Sequence, residues 1–217
     1  MNDSSSFSTE MLAANVLKTS EQLGFHIAAA ESLTGGLLAD AFVSVPGASR
    51  VFCGSAVTYD IHAKAKILGV SAQLLKTEGA VYQDVAMQMA VGASRIYRGS
   101  GWEYEEESEC GSSFPVVGLS TTGVAGPGPD GDKPAGLVYI GVLLPQSCDF
   151  RDGIVRECNG FLDLECFSRF WDYSYNKDVV IVFELHLLGD REQVRCSTVH
   201  SVVRVLNGLL DFVKRLR

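Results

Sequence analysis

The chain has 217 residues, of which 47% are hydrophobic, with a formal net charge of -8 and a sequence pI near 5.0. That length can bury one substantial core, so a single domain over residues 1–217 is expected. An acidic balance is the wrong sign for neutralising a phosphate backbone, so nucleic acid is not an expected partner. No stretch reaches the roughly 18 to 20 consecutive apolar residues of a membrane helix, and the opening MNDSSSFSTEM has no basic segment leading into an apolar one. A cytoplasmic protein with no membrane partner is expected. Cys53, Cys110, Cys148, Cys158, Cys166 and Cys196 show no CxxC pair and no Cys/His spacing suited to zinc, and are read as free thiols.

From Ser8 to Leu23 the apolar residues Met11, Leu12, Val16 and Leu17 recur at helical spacing, with Ser8 as N-cap and Gly24 as stop. Phe25 to Ala30 fits a buried strand. The polar turn Glu31-Ser-Leu-Thr-Gly-Gly36 then leads into a helical pattern over Leu37 to Val43. Strand, glycine-bearing turn and helix in succession open an α/β unit. Ser55 to Tyr59 reads as a strand, and three helices follow over His62 to Leu68, Ser71 to Lys76 with Ser71 as cap, and Asp84 to Tyr97. Residues 99–114 carry an acidic run between glycine and serine clusters and are read as a solvated surface insertion.

Two apolar strands, Pro115 to Ser120 and Leu137 to Leu144, flank a loop rich in Gly, Pro and Asp over Thr121 to Gly136. Glycines let backbone N–H groups approach a ligand, so a binding loop is expected there. Gly153 to Cys158 and Val179 to Leu187 are read as two further strands, with an irregular aromatic-rich insertion over 159–178 between them. A closing helix from about Arg191 to Lys214 presents Val194, Thr198, Val202, Val205, Leu209 and Val213 on one side. Alternating helices and strands make the expected fold class α/β, a three-layer α/β/α sandwich.

The same pattern supplies an anion site. Glu31 to Gly36 precedes a helix whose N–H groups and dipole favour negative charge, and Ser32 and Thr34 add hydroxyl donors. Arg191, at the start of the last helix, has the forked guanidinium that holds a phosphate. His26, His186 and His200 lie in apolar contexts, only His62 lies close in sequence to Tyr59 and Lys64, and no carboxylates accompany them at metal-ligand spacing. Neither a metal nor a cofactor is expected.

Several segments, in order, resemble the CinA C-terminal family of nicotinamide-nucleotide amidohydrolases. They are Ala30 to Gly36, Val45-Pro-Gly-Ala-Ser49, Val57-Thr-Tyr59 with Ala63-Lys64, Leu68-Gly-Val70, Glu78 to Val81, Thr122-Gly-Val-Ala-Gly-Pro127, Lys133-Pro-Ala-Gly136 and Gly189-Asp-Arg191. Leu33 stands where the family usually has Cys, Val124 stands where it often has Ile, and the segments 99–114 and 159–178 are longer than in typical members. A counterpart of the extra N-terminal domain of the two-domain bacterial form is not expected, and activities attached to that domain are not carried over.

The resemblance implies a hydrolase that deamidates nicotinamide mononucleotide to nicotinate mononucleotide and ammonia, a step of pyridine nucleotide salvage. It maps a catalytic set onto Ser49 as nucleophile, Lys64 as base and Tyr59 as proton relay. Substrate contacts fall on Glu31, Ser32, Thr34, Gly35, Gly47, Thr122, Gly123 and Arg191. The small-molecule nucleotide is the expected partner. Self-association as a dimer or higher homo-oligomer is expected from the resemblance and from the aromatic segment Phe167, Phe170, Trp171, Tyr173 and Tyr175. Two other readings stay open at this point: an amidohydrolase of another small amide, and a nucleotide-binding or regulatory module of the same fold without turnover.

Overall fold

The structure, a computed structural model, describes residues 8–98 and 114–217. Local signals set many of its elements. Helix α1 (Thr9–Leu23) begins where Ser8 Oγ accepts the Met11 N–H at 3.2 Å and ends at Gly24, left-handed with φ 69°. Strand β1 (His26–Glu31) follows, then α2 (Leu37–Val43), β2 (Phe52–Val57), α3 (Ile61–Leu68), α4 (Ala72–Glu78) and α5 (Gln83–Tyr97). The chain continues through β3 (Val116–Gly123), β4 (Leu137–Leu144), α6 (Arg151–Asn159), β5 (Phe167–Tyr175), β6 (Asp178–His186) and α7 (Arg191–Leu216). Asp190 starts α7 with a capping box, its carboxylate accepting the Gln193 N–H while the Gln193 side chain accepts the Asp190 N–H.

The strands form one mixed sheet in the order β2-β1-β3-β4-β6-β5. The first three are parallel and β4, β6 and β5 join antiparallel. α1, α2, α6 and α7 cover one face; α3, α4 and α5 cover the other, with α5 lying across β1, β3, β4 and β6. The expected α/β/α sandwich is what the chain forms. α5 sits close because the sheet is bare beneath it: a Cβ on Gly118 would lie 2.1 Å from the Ala90 carbonyl oxygen. The opposite face builds the larger core, where Leu119, Ile140, Phe183, Val202, Leu206 and Leu209 are fully buried.

The chain runs from β1 outward to β2, then crosses back to place β3 on the other side of β1. The carboxyl ends of β1 and β3 therefore flank a topological switch point, where open α/β sheets form their binding crevice. Among the described residues no helix is long and apolar enough to cross a membrane. Cys53, Cys158, Cys166 and Cys196 are free thiols.

Two sequence expectations change. Gly153 to Cys158 is not a strand: it lies within α6, where Ile154 and Cys158, four residues apart, bury one helical face. The stretch over 159–178 is not irregular, because it contains β5, which turns back into β6 through Asn176 at φ 56°. Its aromatics are largely spent inside the chain: Phe167 is buried, Phe170 packs on Phe183, and Trp171 and Tyr173 pack under α5, leaving Tyr175 exposed. That segment is therefore an edge strand rather than a free aromatic surface. The acidic insertion, Phe114 excepted, lies outside the described residues.

Phe183 tests this arrangement, since its ring meets Phe161 and Phe167 edge-on at 5.8 and 5.4 Å and Phe170 at 5.6 Å. Phe183→Ala should lower unfolding free energy by about 3–5 kcal/mol in urea titrations. A loss below ~1 kcal/mol would show that β5 and residues 160–163 do not close over β6 as described.

Candidate active site

The site grows from the carboxyl end of β1. Glu31 is fully buried between Val57 of β2 and Thr121 of β3. Its Oε2 accepts from Thr34 Oγ1 at 2.7 Å, the Gly36 N–H at 2.9 Å and the Leu38 N–H at 3.0 Å; Oε1 accepts from the Ala39 N–H at 3.0 Å and Ser55 Oγ at 2.8 Å. The carboxylate thus occupies the positive end of α2, and the anion that this helix start was expected to attract is supplied by the chain. Thr34 is equally inward, its hydroxyl shared between Glu31 and Thr121 Oγ1.

Ser32 faces the other way. Its N–H bonds to the Thr121 carbonyl, while its Oγ lies 2.9 Å from Lys64 Nζ. Lys64 is fully buried in the first turn of α3, which Asp60 caps by accepting the His62 and Ala63 N–H groups. Helical side chains lean toward the helix N-terminus. The lysine therefore folds back over the end of β2, and Nζ meets the Thr58 carbonyl at 2.6 Å and the Tyr59 carbonyl at 3.3 Å. Burial lowers its pKa from 10.5 to about 8, against the opposing pull of Asp60. A neutral amine has two N–H bonds and one lone pair. In this geometry the two carbonyls take the N–H bonds and the lone pair is left for the Ser32 hydroxyl.

The remaining expected residues divide. Tyr59 is at the rim, but the residue is 65% exposed and its phenol oxygen accepts from Arg191 at 3.1 Å instead of meeting Lys64. Arg191 also donates to the Gly126 carbonyl at 2.6 Å, joining α7 to the glycine loop. Thr122 is buried and its Oγ1 donates to the Ala80 carbonyl at 2.6 Å, so its hydroxyl is already committed. Gly123 presents backbone only, since a Cβ there would lie 2.6 Å from the Leu137 carbonyl. Gly35 is exposed in the turn after Ser32 with φ 57°.

Ser49 and Gly47 are elsewhere. Ser49 is exposed in the 3₁₀ turn Ala48–Arg50, ahead of β2, whereas Tyr59 follows its far end. Roughly 20 Å of strand separates the two ends. Gly47, at φ 84°, packs beside the Arg50 guanidinium on the same remote turn. Within one chain, then, Lys64 is paired with Ser32 and not with Ser49. His62 is exposed and lies 3.4 Å from the Asp60 carboxylate. No group of three or more His, Cys, Asp or Glu side chains suited to a metal occurs among the described residues. One residue escapes the sequence reading: Arg195, one turn beyond Arg191, donates Nε to the Leu33 carbonyl and Nη2 to the Thr34 carbonyl, each at 2.9 Å. Its i+4 spacing from Arg191 hints at a shared direction, but its partners lie about 160 residues away in sequence.

Fold and site together define a class: an α/β/α sandwich whose parallel half holds a buried serine–lysine pair at the β1/β3 switch point. The chain belongs to the CinA C-terminal domain family, whose model matches residues 9–101 and 109–157. It is 38% identical over 206 residues to a CinA-like protein of Dictyoglomus turgidum, covering 94% of this chain and 38% of that protein. It is 42% identical over 121 residues to a CinA-like protein of Desulfosudis oleivorans, covering 55% of this chain and 25% of the other. The chain spans 24–38% of the length of the curated relatives it matches. Among solved structures it is similar to the competence/damage inducible protein CihA of Agrobacterium tumefaciens, with 28% identity, TM-score 0.66 and 93% and 94% of the two chains covered. A CinA superfamily protein of Enterobacter cloacae shares the fold at TM-score 0.71 and 19% identity, covering 97% of this chain and 96% of that one.

Buried Lys64 also marks stability. Its folded pKa lies below its ordinary value, so between pH 8 and 10.5 the unfolded chain binds more protons and stability rises with pH. Urea unfolding at the two ends of that window should show the wild type gaining about 3 kcal/mol relative to Lys64→Met. Parallel behaviour of the two proteins would place the lysine in solvent.

Proposed function

We propose that the chain is a serine amidohydrolase that deamidates nicotinamide mononucleotide, with Ser32 as nucleophile and Lys64 as general base. The observation that carries the chemistry is the 2.9 Å contact between Ser32 Oγ and a buried lysine amine whose pKa is lowered to about 8. The substrate rests on family membership and on the motif resemblance.

An amide is a weak electrophile with a poor leaving group, so it needs an activated nucleophile, oxyanion donors and a proton for the departing nitrogen. Neutral Lys64 takes the Ser32 hydroxyl proton as Oγ bonds to the carboxamide carbon, and the carbonyl π electrons move onto oxygen. The resulting Lys64 ammonium, held by the Thr58 and Tyr59 carbonyls, returns the proton to the amide nitrogen. The C–N bond breaks, ammonia leaves and the acyl group stays on Ser32. Water then gives a proton to Lys64 as its oxygen bonds to the acyl carbon, and cleavage of the ester returns Ser32 its proton and releases the pyridine carboxylate. At the rim, Arg191 and the Tyr59 phenol provide the donors for the nucleotide phosphate. Ser49 has no part in the step within one chain.

Ammonia release from a panel of pyridine amides tests this reading. Ser32→Ala should slow turnover of nicotinamide mononucleotide by at least ~10³-fold, while Ser49→Ala stays within about threefold of wild type. The inverse result would move the nucleophile to Ser49, delivered from a second chain. Binding of the mononucleotide by the wild type without ammonia release would instead identify a binding module.

Because the active base is the neutral amine, kcat/KM should climb about tenfold per pH unit below an apparent pKa near 8 and level off above it. Lys64→Met should remove both the activity and the profile. An activity that is flat from pH 6 to 9 in the wild type would exclude Lys64 as base.

A further inference from the structure

We propose that Arg195 is a positioning residue that turns the backbone N–H groups of Thr34 and Gly35 into oxyanion donors for the reaction at Ser32, an inference that rests on the amidohydrolase reading. Its guanidinium grips two successive carbonyls, those of Leu33 and Thr34, each at 2.9 Å. Across a planar trans peptide the C=O and the following N–H point in opposite directions. Fixing the Leu33 carbonyl on Arg195 therefore aims the Thr34 N–H away from it, and fixing the Thr34 carbonyl does the same for the Gly35 N–H. The turn that allows this has Gly35 at φ 57°, its α-carbon face against Arg195, where an added Cβ would sit 3.4 Å from Nη2.

The N–H groups of Ser32 and of the residues from Gly36 onward are accounted for. Ser32 donates to Thr121, Gly36, Leu38 and Ala39 donate to Glu31, and Leu37 donates to the Thr34 carbonyl. The N–H groups of Leu33, Thr34 and Gly35 find no acceptor among the described residues. They do not belong to the start of α2, which Glu31 already satisfies. Those of Thr34 and Gly35 are adjacent donors, two and three peptide units beyond the serine that meets Lys64, backed by a positive charge that polarises both peptides. Donors held in place before charge develops are what a tetrahedral oxyanion requires. An arginine suits the task because its planar fork meets two carbonyls at once; a lysine ammonium meets one.

The test compares wild type, Arg195→Ala and Arg195→Lys on nicotinamide mononucleotide and on its thioamide analogue, in which sulfur, a weak acceptor, replaces the carbonyl oxygen; both release ammonia. Arg195→Ala should lose ~10²-fold or more in kcat with KM changed less than about threefold. Its preference for oxygen over sulfur should shrink at least ~10-fold, and Arg195→Lys should fall between. A merely structural arginine would depress both substrates equally and leave that ratio at the wild-type value, which would overturn the proposal, as would an unchanged kcat. Thermal unfolding of each variant accompanies the kinetics; if the alanine protein does not fold, Arg195→Lys and Arg195→Gln carry the same comparison. A wild type that neither releases ammonia nor forms a tetrahedral adduct with a pyridineboronic acid, followed by boron NMR, would overturn the amidohydrolase reading and this inference with it. Turnover with an unmoved oxygen-to-sulfur ratio would overturn this inference alone.

Discussion

The Glu31 carboxylate is the constraint on which the site depends. A buried charge is tolerated only where its lone pairs are met, and here backbone and hydroxyl donors from the turn, α2 and β2 meet them. One side chain thereby fastens the end of β1 to the start of α2 and to the neighbouring strand. The turn between Glu31 and Gly36 is then closed on its inner side. Only Ser32, the outward peptides and the exposed Gly35 are left to face a ligand. The positive end of α2 is consumed in the process, so positive charge for a substrate comes from side chains instead.

Lys64 shows the opposite balance. Its amine is held by two carbonyls, and burial outweighs the opposing pull of Asp60 and draws the pKa down to about 8. At neutral pH that burial costs stability, an expense that structural lysines avoid by staying in water. Such a cost is ordinary at a working site, where strain or desolvation persists because the surroundings enforce it. The enforcement here is local: Asp60 starts α3 immediately after β2, and the backward lean of a helical side chain carries Lys64 to Ser32.

The rest of the rim is delivered from a distance. α7 begins at a capping box and projects Arg191 and Arg195 on successive turns, one to the glycine loop and Tyr59, the other to the serine turn. Its apolar face is sunk into the core with Val194, Val202, Leu206 and Leu209, so both guanidinium groups hang from a rigid element. The chain matches only a fraction of the length of its curated relatives but nearly the whole of the solved CinA superfamily chains.

What the sequence determined by itself was whatever a few neighbouring residues decide. Ser8 and Gly24 bound α1, Leu37–Val43 and Leu137–Leu144 are read to the residue, and the glycine-bearing turn before α2 announces a site, because caps, periodicity and positive φ act within a turn or two of the chain. Motif and resemblance singled out Lys64 and residues 31–36, and the structure brings Lys64 to Ser32. Tertiary structure decided the rest. β5 is a strand because β6 offers it an edge, and α6 is a helix because Ile154 and Cys158 meet the core; neither partner is adjacent in sequence. The resemblance placed the nucleophile at Ser49 and gave Ser32 only a substrate contact, and only the sheet shows that β2 carries its two ends apart, leaving Ser32 beside the lysine. Arg195 had no local signal beyond its i+4 spacing from Arg191. Its role depends on two carbonyls that the fold brings to it, since hydrogen-bond partners are selected by proximity in space and the linear order of residues does not encode that proximity.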